Sequence, residues 1–416
     1  MADKTNKTDV VVLGAGIVGV SAAYAARQRG LSVIVIDRRE PGSETSYGNA
    51  GVLSSGSIFP LNQPSLFGSL PKYLSNRHAA LRWSPGWVLR HPDWVARFLA
   101  SARASQTKPR ALALQGLINA SLRLHRDWIV RAGAPDRIRE TGWLKAWRSD
   151  NRAAAKADQD ALTAYGIKSE LLDRQAISAL EPNILPVYSV GLLHTQTASV
   201  DSPGNVVKAY AKMLLGSGGE VRRAEIRSIA PDNDGWRVVL SDGELRARHV
   251  VVALGPWSAD LLRPLGYRVP LATERGYHRE YRPNPSRKLL RPIHDAENAF
   301  LMTPMENGIR VTSGVELTHR EAPSNYAQID TVEPLARGVV EFGEQVGDTW
   351  RGARPTLPDS LPMIGAAPRH RNLWLAFGNQ HIGFTTGPAT GEAIAAMIAG
   401  AAPPFDVAAF TPGRYL

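Results

Sequence analysis

The 416-residue sequence contains no cysteine. Disulfides, thiolate metal sites, iron–sulfur clusters and any cofactor attached through sulfur are therefore excluded. No uninterrupted apolar run is long enough to span a bilayer. The opening MADKTNKTDV is polar and lacks the apolar core of a signal peptide, so a cytoplasmic location is expected. Repeats and low-complexity segments are also missing, and disorder is expected only over Met1 to Thr8. A net charge of +11 is scattered without a basic run or nucleic-acid motif, which argues against nucleic acid as a partner. Such a surface suits the approach of an anionic substrate, or peripheral contact with the inner face of an anionic membrane.

Turning to what is there, 416 residues exceed the size at which one core stops growing, and 44% hydrophobic residues can fill two domains. Val10 to Leu13 are four consecutive apolar residues, the pattern of a parallel strand buried on both faces. Gly14-Ala15-Gly16-Ile17-Val18-Gly19 follows, then a helix over Val20 to Arg29 closed by Gly30, then a strand over Leu31 to Ile36. Asp37 ends that strand, 21 residues after Gly16, where a carboxylate accepts the ribose hydroxyls of an adenosine. Gly14 permits the tight turn, Gly16 lets a pyrophosphate approach the backbone at the helix N-terminus, and Gly19 lets helix and strand pack closely. Strand, glycines, helix, second strand and acid in register predict a dinucleotide site. The carboxylate of Asp37 opposes a 2′-phosphate, although Arg38 and Arg39 adjoin it.

The stretch Gly42-Ser43-Glu44-Thr45-Ser46-Tyr47-Gly48-Asn49-Ala50-Gly51 is rich in glycine and hydroxyl groups, suited to an extended phosphate and ribityl chain. Further blocks follow in order: Val250 to Gly255 with Pro256-Trp257-Ser258; Thr273 to His278; Arg351 to Pro355 with Asp359, Pro362 and Gly365; and Phe377 to Gly383 with Gly387 and Thr390-Gly391. With these blocks the sequence resembles the D-amino acid oxidase superfamily, and within it the bacterial FAD-dependent D-amino acid dehydrogenases. Residues 59 to about 190 match least specifically.

The resemblance implies an α/β chain with a discontinuous Rossmann-like FAD-binding domain, residues 1–58, 195–265 and 350–416. An α+β substrate domain with an antiparallel sheet would fill 59–194 and 266–349. Helices are expected at Asp201 to Leu215, Glu333 to Val346 and Gly387 to Ala399, and strands at Glu220 to Ile229, Trp236 to Leu240, Arg246 to Ala253, Leu271 to Arg282, Asn298 to Thr303 and Ile309 to Ser313. The aromatic segment 59–101 reads as helical core in preference to a membrane- or quinone-facing surface.

The implied cofactor is noncovalent FAD, held by Gly14, Gly16, Ile17, Val18, Gly19, Asp37, Arg38, Thr45, Ser46, Asn49, Ala50, Gly51, Gly255, Trp257, Gly378, Gln380, His381, Ile382 and Gly383. No metal is expected. The implied reaction is oxidative deamination of a D-amino acid, D-proline and hydroxy-D-proline included, by hydride transfer to the flavin, with a quinone or other carrier as electron acceptor. Arg354 would clamp the substrate carboxylate, because its fork makes two parallel charge-assisted bonds. Tyr277 and His278 would lie over the flavin face. Gln380 and His381 would face its pyrimidine edge, Gly365 its ribityl chain, and Gly387 and Thr390 would open a helix aimed at its carbonyl. The rival readings are a sarcosine- or glycine-type secondary amine oxidase, an NAD-linked dehydrogenase, and a noncatalytic flavin-binding subunit.

Overall fold

The computed structural model describes residues 7–416. Of the segment expected to be disordered, residues 1–6 lie outside the described residues, whereas Thr8 pairs in register with Ala247.

Val10 to Leu13 are fully buried because their strand, Lys7–Leu13, sits at the centre of a sheet. It pairs in parallel with Val33–Asp37 on one side and Gly243–Val252 on the other. Glu220–Arg223 extends the sheet beyond Val33–Asp37. Besides Lys7–Leu13, the long strand Gly243–Val252 has two further partners: its first half pairs antiparallel with Gly235–Leu240, while Val250 to Val252 pair in parallel with Leu373–Phe377. The strand expected at Glu220 to Ile229 is therefore two strands. Glu220–Arg223 stays in the parallel sheet, and Ile226–Asp232 joins the antiparallel meander on Gly235–Leu240.

One face of this sheet carries the helices Ile17–Gln28, Ala104–Arg131, Pro203–Gly216 and Gly383–Ile398 over a shared core. Gly387 and Gly391 belong to this packing. A Cβ on Gly387 would stand 2.6 Å from Ile17 Cγ1, and one on Gly391 2.3 Å from Ala22 N. Two helices cross there at backbone distance.

A second, mostly antiparallel sheet of ten strands is centred on Ala272–Pro283, which pairs with Phe342–Thr356, Gly308–Thr312 and Val315–Leu317. Phe300–Met305, Ile293–Asp295 and Trp143–Trp147 continue it. The helix expected at Glu333 to Val346 is corrected here: the helix is Ala327–Arg337, and Phe342 to Val346 begin a strand opposite Pro283, Tyr281 and Glu280. Gly338 caps the helix, and Phe342 is held against Tyr281 at 4.5 Å between ring centres. That strand runs to Thr356, so the second sheet passes the expected domain boundary at 350.

The aromatic segment forms the helices Ser65–Leu74, Pro85–Arg90 and Pro92–Ala100. Trp87 and Trp94 are buried against Ala272, while Phe67 and Leu89 are exposed. Among the described residues no helix is long and apolar enough to cross a membrane.

Candidate cofactor and substrate site

A cavity of about 820 Å³ runs between the carboxyl ends of the first sheet and the second sheet. Its first-sheet end is shaped by a glycine turn. Gly14 adopts φ +107°, and a Cβ there would meet Ala253 O at 2.4 Å. A Cβ on Gly19 would lie 1.9 Å from Gly14 O, so the first turn of Ile17–Gln28 can sit against the strand only with glycine at that position. The helix has no side-chain cap, and Ile17 N instead donates to Ser46 Oγ at 3.0 Å. Asp37 accepts from Ala15 N at 2.7 Å and from Arg39 N at 3.0 Å. Its carboxylate thus fixes the glycine turn as well as offering remaining lone pairs to the cavity.

The loop after this unit is held from the other sheet. Thr45 Oγ1 donates to Ala353 O at 2.9 Å, and the buried Arg310 donates to the carbonyls of Tyr47, at 2.8 Å, and of Asn49. Asn49 Oδ1 accepts from Gly51 N at 2.8 Å, closing a turn in which Gly51 has φ +74°. Trp257 is covered by two guanidinium groups, Arg38 at 4.6 Å and Arg320 at 5.2 Å from the ring centre. In the closing loop, Asn379 Nδ2 donates to Thr386 and Thr390, both at 3.1 Å, and Gln380 Nε2 donates to Ser360 O. The following helix begins at Gly383, so Gly387 and Thr390 lie inside it and do not open it. Gly383 and Thr385, in its uncapped first turn, line the cavity.

Arg354 stands in the second-sheet wall. Its guanidinium lies over Gly276, where a Cβ would come within 2.2 Å of Nη2. Among the described residues it has neither an ion pair nor a hydrogen bond, in a chain whose arginines are extensively paired. Glu274 is its register partner across the strand pair. Burial pushes the Glu274 carboxyl up to about 7, with Arg354 and Thr356 opposing the rise. Burial also lowers the Arg354 guanidinium from its usual value, against the attraction of Glu274. The accessible surface of His381 opens into the cavity. Its surroundings push the imidazole down to about 4, and the positive charge of Arg354 adds to this.

Alternation along Ala272–Pro283 separates two residues expected to act together. Glu274, Gly276 and His278 share one face, and Arg275 and Tyr277 share the other. Tyr277 is therefore corrected to a core residue. It is fully buried, and its hydroxyl donates to Glu316 Oε2 at 2.7 Å while accepting from Arg275 and from Asn325 N. His278 is also set back from the cavity, stacked on Trp350 at 4.9 Å, and it is Trp350 that lines the wall. Burial, with Arg310 nearby, holds the His278 imidazole well below its usual range.

Of the residues expected to bind cofactor, Gly19, Gly51 and Gly378 do not reach the cavity lining. The other sixteen reach it. Gly365 lies elsewhere, against Pro412. Sequence reasoning missed Trp350, Arg310, Arg320, Trp143 and His294. Only Trp350 carried a local signal, next to the Arg351 to Pro355 block and four residues before Arg354.

The sequence profile of the family described as FAD dependent oxidoreductase (DAO) matches residues 9–397. The chain belongs to this family. A D-amino-acid oxidase of Bradyrhizobium diazoefficiens is 31% identical over 421 residues, covering 98% of this chain and 99% of that one. Among solved structures, glycine oxidase from Geobacillus kaustophilus superposes with a TM-score of 0.76 at 20% identity, over 99% and 100% of the two chains. L-proline dehydrogenase from P. horikoshii gives 0.76 at 17% identity, over 99% and 98%.

This DAO-family chain is an FAD-dependent oxidoreductase, and its cavity fits that cofactor. Gly14 and Gly19 have no room for a Cβ and so fix the turn, Gly16 leaves the backbone at the helix start open for a pyrophosphate, Asp37 keeps free lone pairs, and the volume falls in the upper part of the range of small-molecule and cofactor sites, about 300–1,000 Å³.

Proposed function

We propose that the protein oxidises a free amino acid, in the D configuration, at the carbon bearing the nitrogen, giving an imine that water hydrolyses to a keto acid and ammonia. The observation that carries this is Arg354, an unpaired guanidinium in the wall of a cofactor-sized cavity. A planar fork with no carboxylate bonded to it, beside a Glu274 whose carboxyl burial pushes toward the neutral form, suits a carboxylate brought by the substrate. The D-amino-acid oxidase relative supports the substrate class and its configuration.

FAD, held noncovalently by the glycine turn, Asp37, the Thr45 to Ala50 loop and the closing loop, supplies the two-electron acceptor when bound. The chain's residues do the positioning. Arg354 fixes the carboxylate through two parallel bonds and so sets where the substrate carbon lies. Trp350 closes the wall beside it, wedged over Gly48 and Gly352, where a Cβ at either would stand 1.8 Å from the indole. His381 is neutral at neutral pH and so does not compete with Arg354 for the carboxylate. We assign residues 1–58, 195–265 and 350–416 mainly to the cofactor and the remainder mainly to the substrate.

The electron acceptor divides two readings. The basic surface favours a carrier such as a quinone, reached by peripheral contact at a membrane, while the relative's name as an oxidase favours oxygen. Peroxide yield in air, compared with the rate on an artificial acceptor, separates them. The function itself is tested by anaerobic bleaching of the flavin with D-amino acids, L-amino acids, D-proline and sarcosine. Bleaching by the D-amino acids is the expected result; bleaching by sarcosine alone would replace this reading with a secondary amine oxidase.

A further inference from the structure

The cavity wall supplied by the second sheet includes Trp143, His294, Phe300, Leu301 and Ser313. Apart from Arg354, the lining residues with formal charge are Asp37, Arg38, Glu44, Glu225, Arg227 and Asp260, all carried by first-sheet elements and the loops that follow them. The second-sheet wall is therefore uncharged beyond the carboxylate anchor.

It is not without polarity. His294 stacks face to face on Trp143, with ring centres 5.8 Å apart and planes within 1°. Buried His194 also meets Trp143, edge-on with ring centres 5.0 Å apart. His294 Nδ1, both ring nitrogens of His194 and Trp143 Nε1 are buried without a hydrogen-bond partner. His294 makes no hydrogen bond among the described residues, and Nε2 is its accessible nitrogen. Burial pushes His294 down to about 4 and His194 to about 3, with Lys145 adding to both, so both rings are neutral at neutral pH.

We propose that the Trp143–His294 wall is the subsite for the substrate's side chain, and that it selects an uncharged side chain bearing a hydrogen-bonding group, with His294 as the specificity-determining residue. This rests on the role of Arg354 as carboxylate anchor. A charged side chain would be stripped of water with no partner, and a purely apolar one would leave the imidazole unpaired. A hydroxyl or amide satisfies it.

The test is anaerobic flavin reduction, as kcat/KM, with matched D-amino acids: threonine against valine, tyrosine against phenylalanine, glutamine against glutamate. The parent should favour the polar member of the first two pairs by roughly three- to tenfold, the weight of one neutral hydrogen bond, and should favour glutamine over glutamate by more. His294→Phe keeps a ring against Trp143 and should bring the first two ratios to about one. His294→Gln should restore part of the preference. If His294→Phe does not retain flavin, the parental ratios and His294→Gln decide. A parent without these preferences, preferences unchanged in His294→Phe, or no preference at all in His294→Gln, would overturn the assignment. Failure of every amino acid to reduce the flavin would overturn the amino-acid reading and this subsite with it.

Discussion

The two ends of the cavity are built from different material. At the nucleotide end the wall is organised by a glycine turn, with Gly14 and Gly19 where a Cβ would lie within 2.4 Å of a carbonyl and with Asp37 bonded back onto Ala15 N. At the substrate end the walls are side chains, Trp143, His294, Trp350 and Arg354, brought together by strand register across more than two hundred residues. At Gly14 and Gly19 the first end has no room for an added carbon. The second should tolerate substitution and answer with changed selectivity, which is where members of one family can diverge in substrate while keeping a common cofactor.

The largest effect is expected from Gly19→Val. Overlap with Gly14 O must push Ile17–Gln28 off its strand, costing about 3 kcal/mol or more of stability. Purified protein should be colourless with a lowered Tm. A yellow, stable variant would break the contrast drawn above. Next is Arg354→Lys, which keeps the charge but loses the fork. Flavin reduction should slow by about 10- to 100-fold, corresponding to about 1.5–3 kcal/mol, while the protein remains yellow. Asp37→Ala should weaken FAD binding by about tenfold, because it removes an acceptor and also frees the amides of Ala15 and Arg39. Asp37→Asn, which keeps one acceptor oxygen, should lose less; equal losses would mean that the bond to the turn is unimportant.

The smallest effect concerns pH. Glu274 is neutral below about 7 and charged above it, next to Arg354. KM for an amino acid should therefore rise a few-fold, to order of magnitude, as pH passes through 7, because the ionised carboxylate competes for the guanidinium. Glu274 also lowers stability as pH climbs from its ordinary 4.5 toward 7, since burial penalises the ionised form. Both trends should flatten in Glu274→Gln, and a parallel pH profile in parent and variant would remove Glu274 from the account.

The same contrast explains what could be read from the sequence. Gly14, Gly16, Asp37 and the Thr45 to Ala50 loop were legible because local spacing encodes a turn whose geometry is set within forty residues. Arg354 was legible only through its place in a family block. Tyr277 was misplaced because adjacent residues of a strand face opposite ways, and a motif alone does not say which face meets the cavity. The helix expected through Val346 failed because a half-apolar stretch with Gly338 and Gly343 suits either period, and pairing with Tyr281 decided for the strand. Arg310 and His294 have no local signal at all. One acts across 261 residues on Asn49 O, and the other depends on a stack with Trp143 from a parallel neighbour strand.

The central claim is that the substrate end is built around a carboxylate held by Arg354. It is tested most directly by anaerobic stopped-flow reduction of the bound flavin with the best amino acid and with the amine that lacks only its carboxylate. The account predicts that the amine reduces the parent enzyme at least about tenfold more slowly, and that the gap closes in Arg354→Lys. An amine that reduces the parent flavin as fast as the amino acid would contradict it.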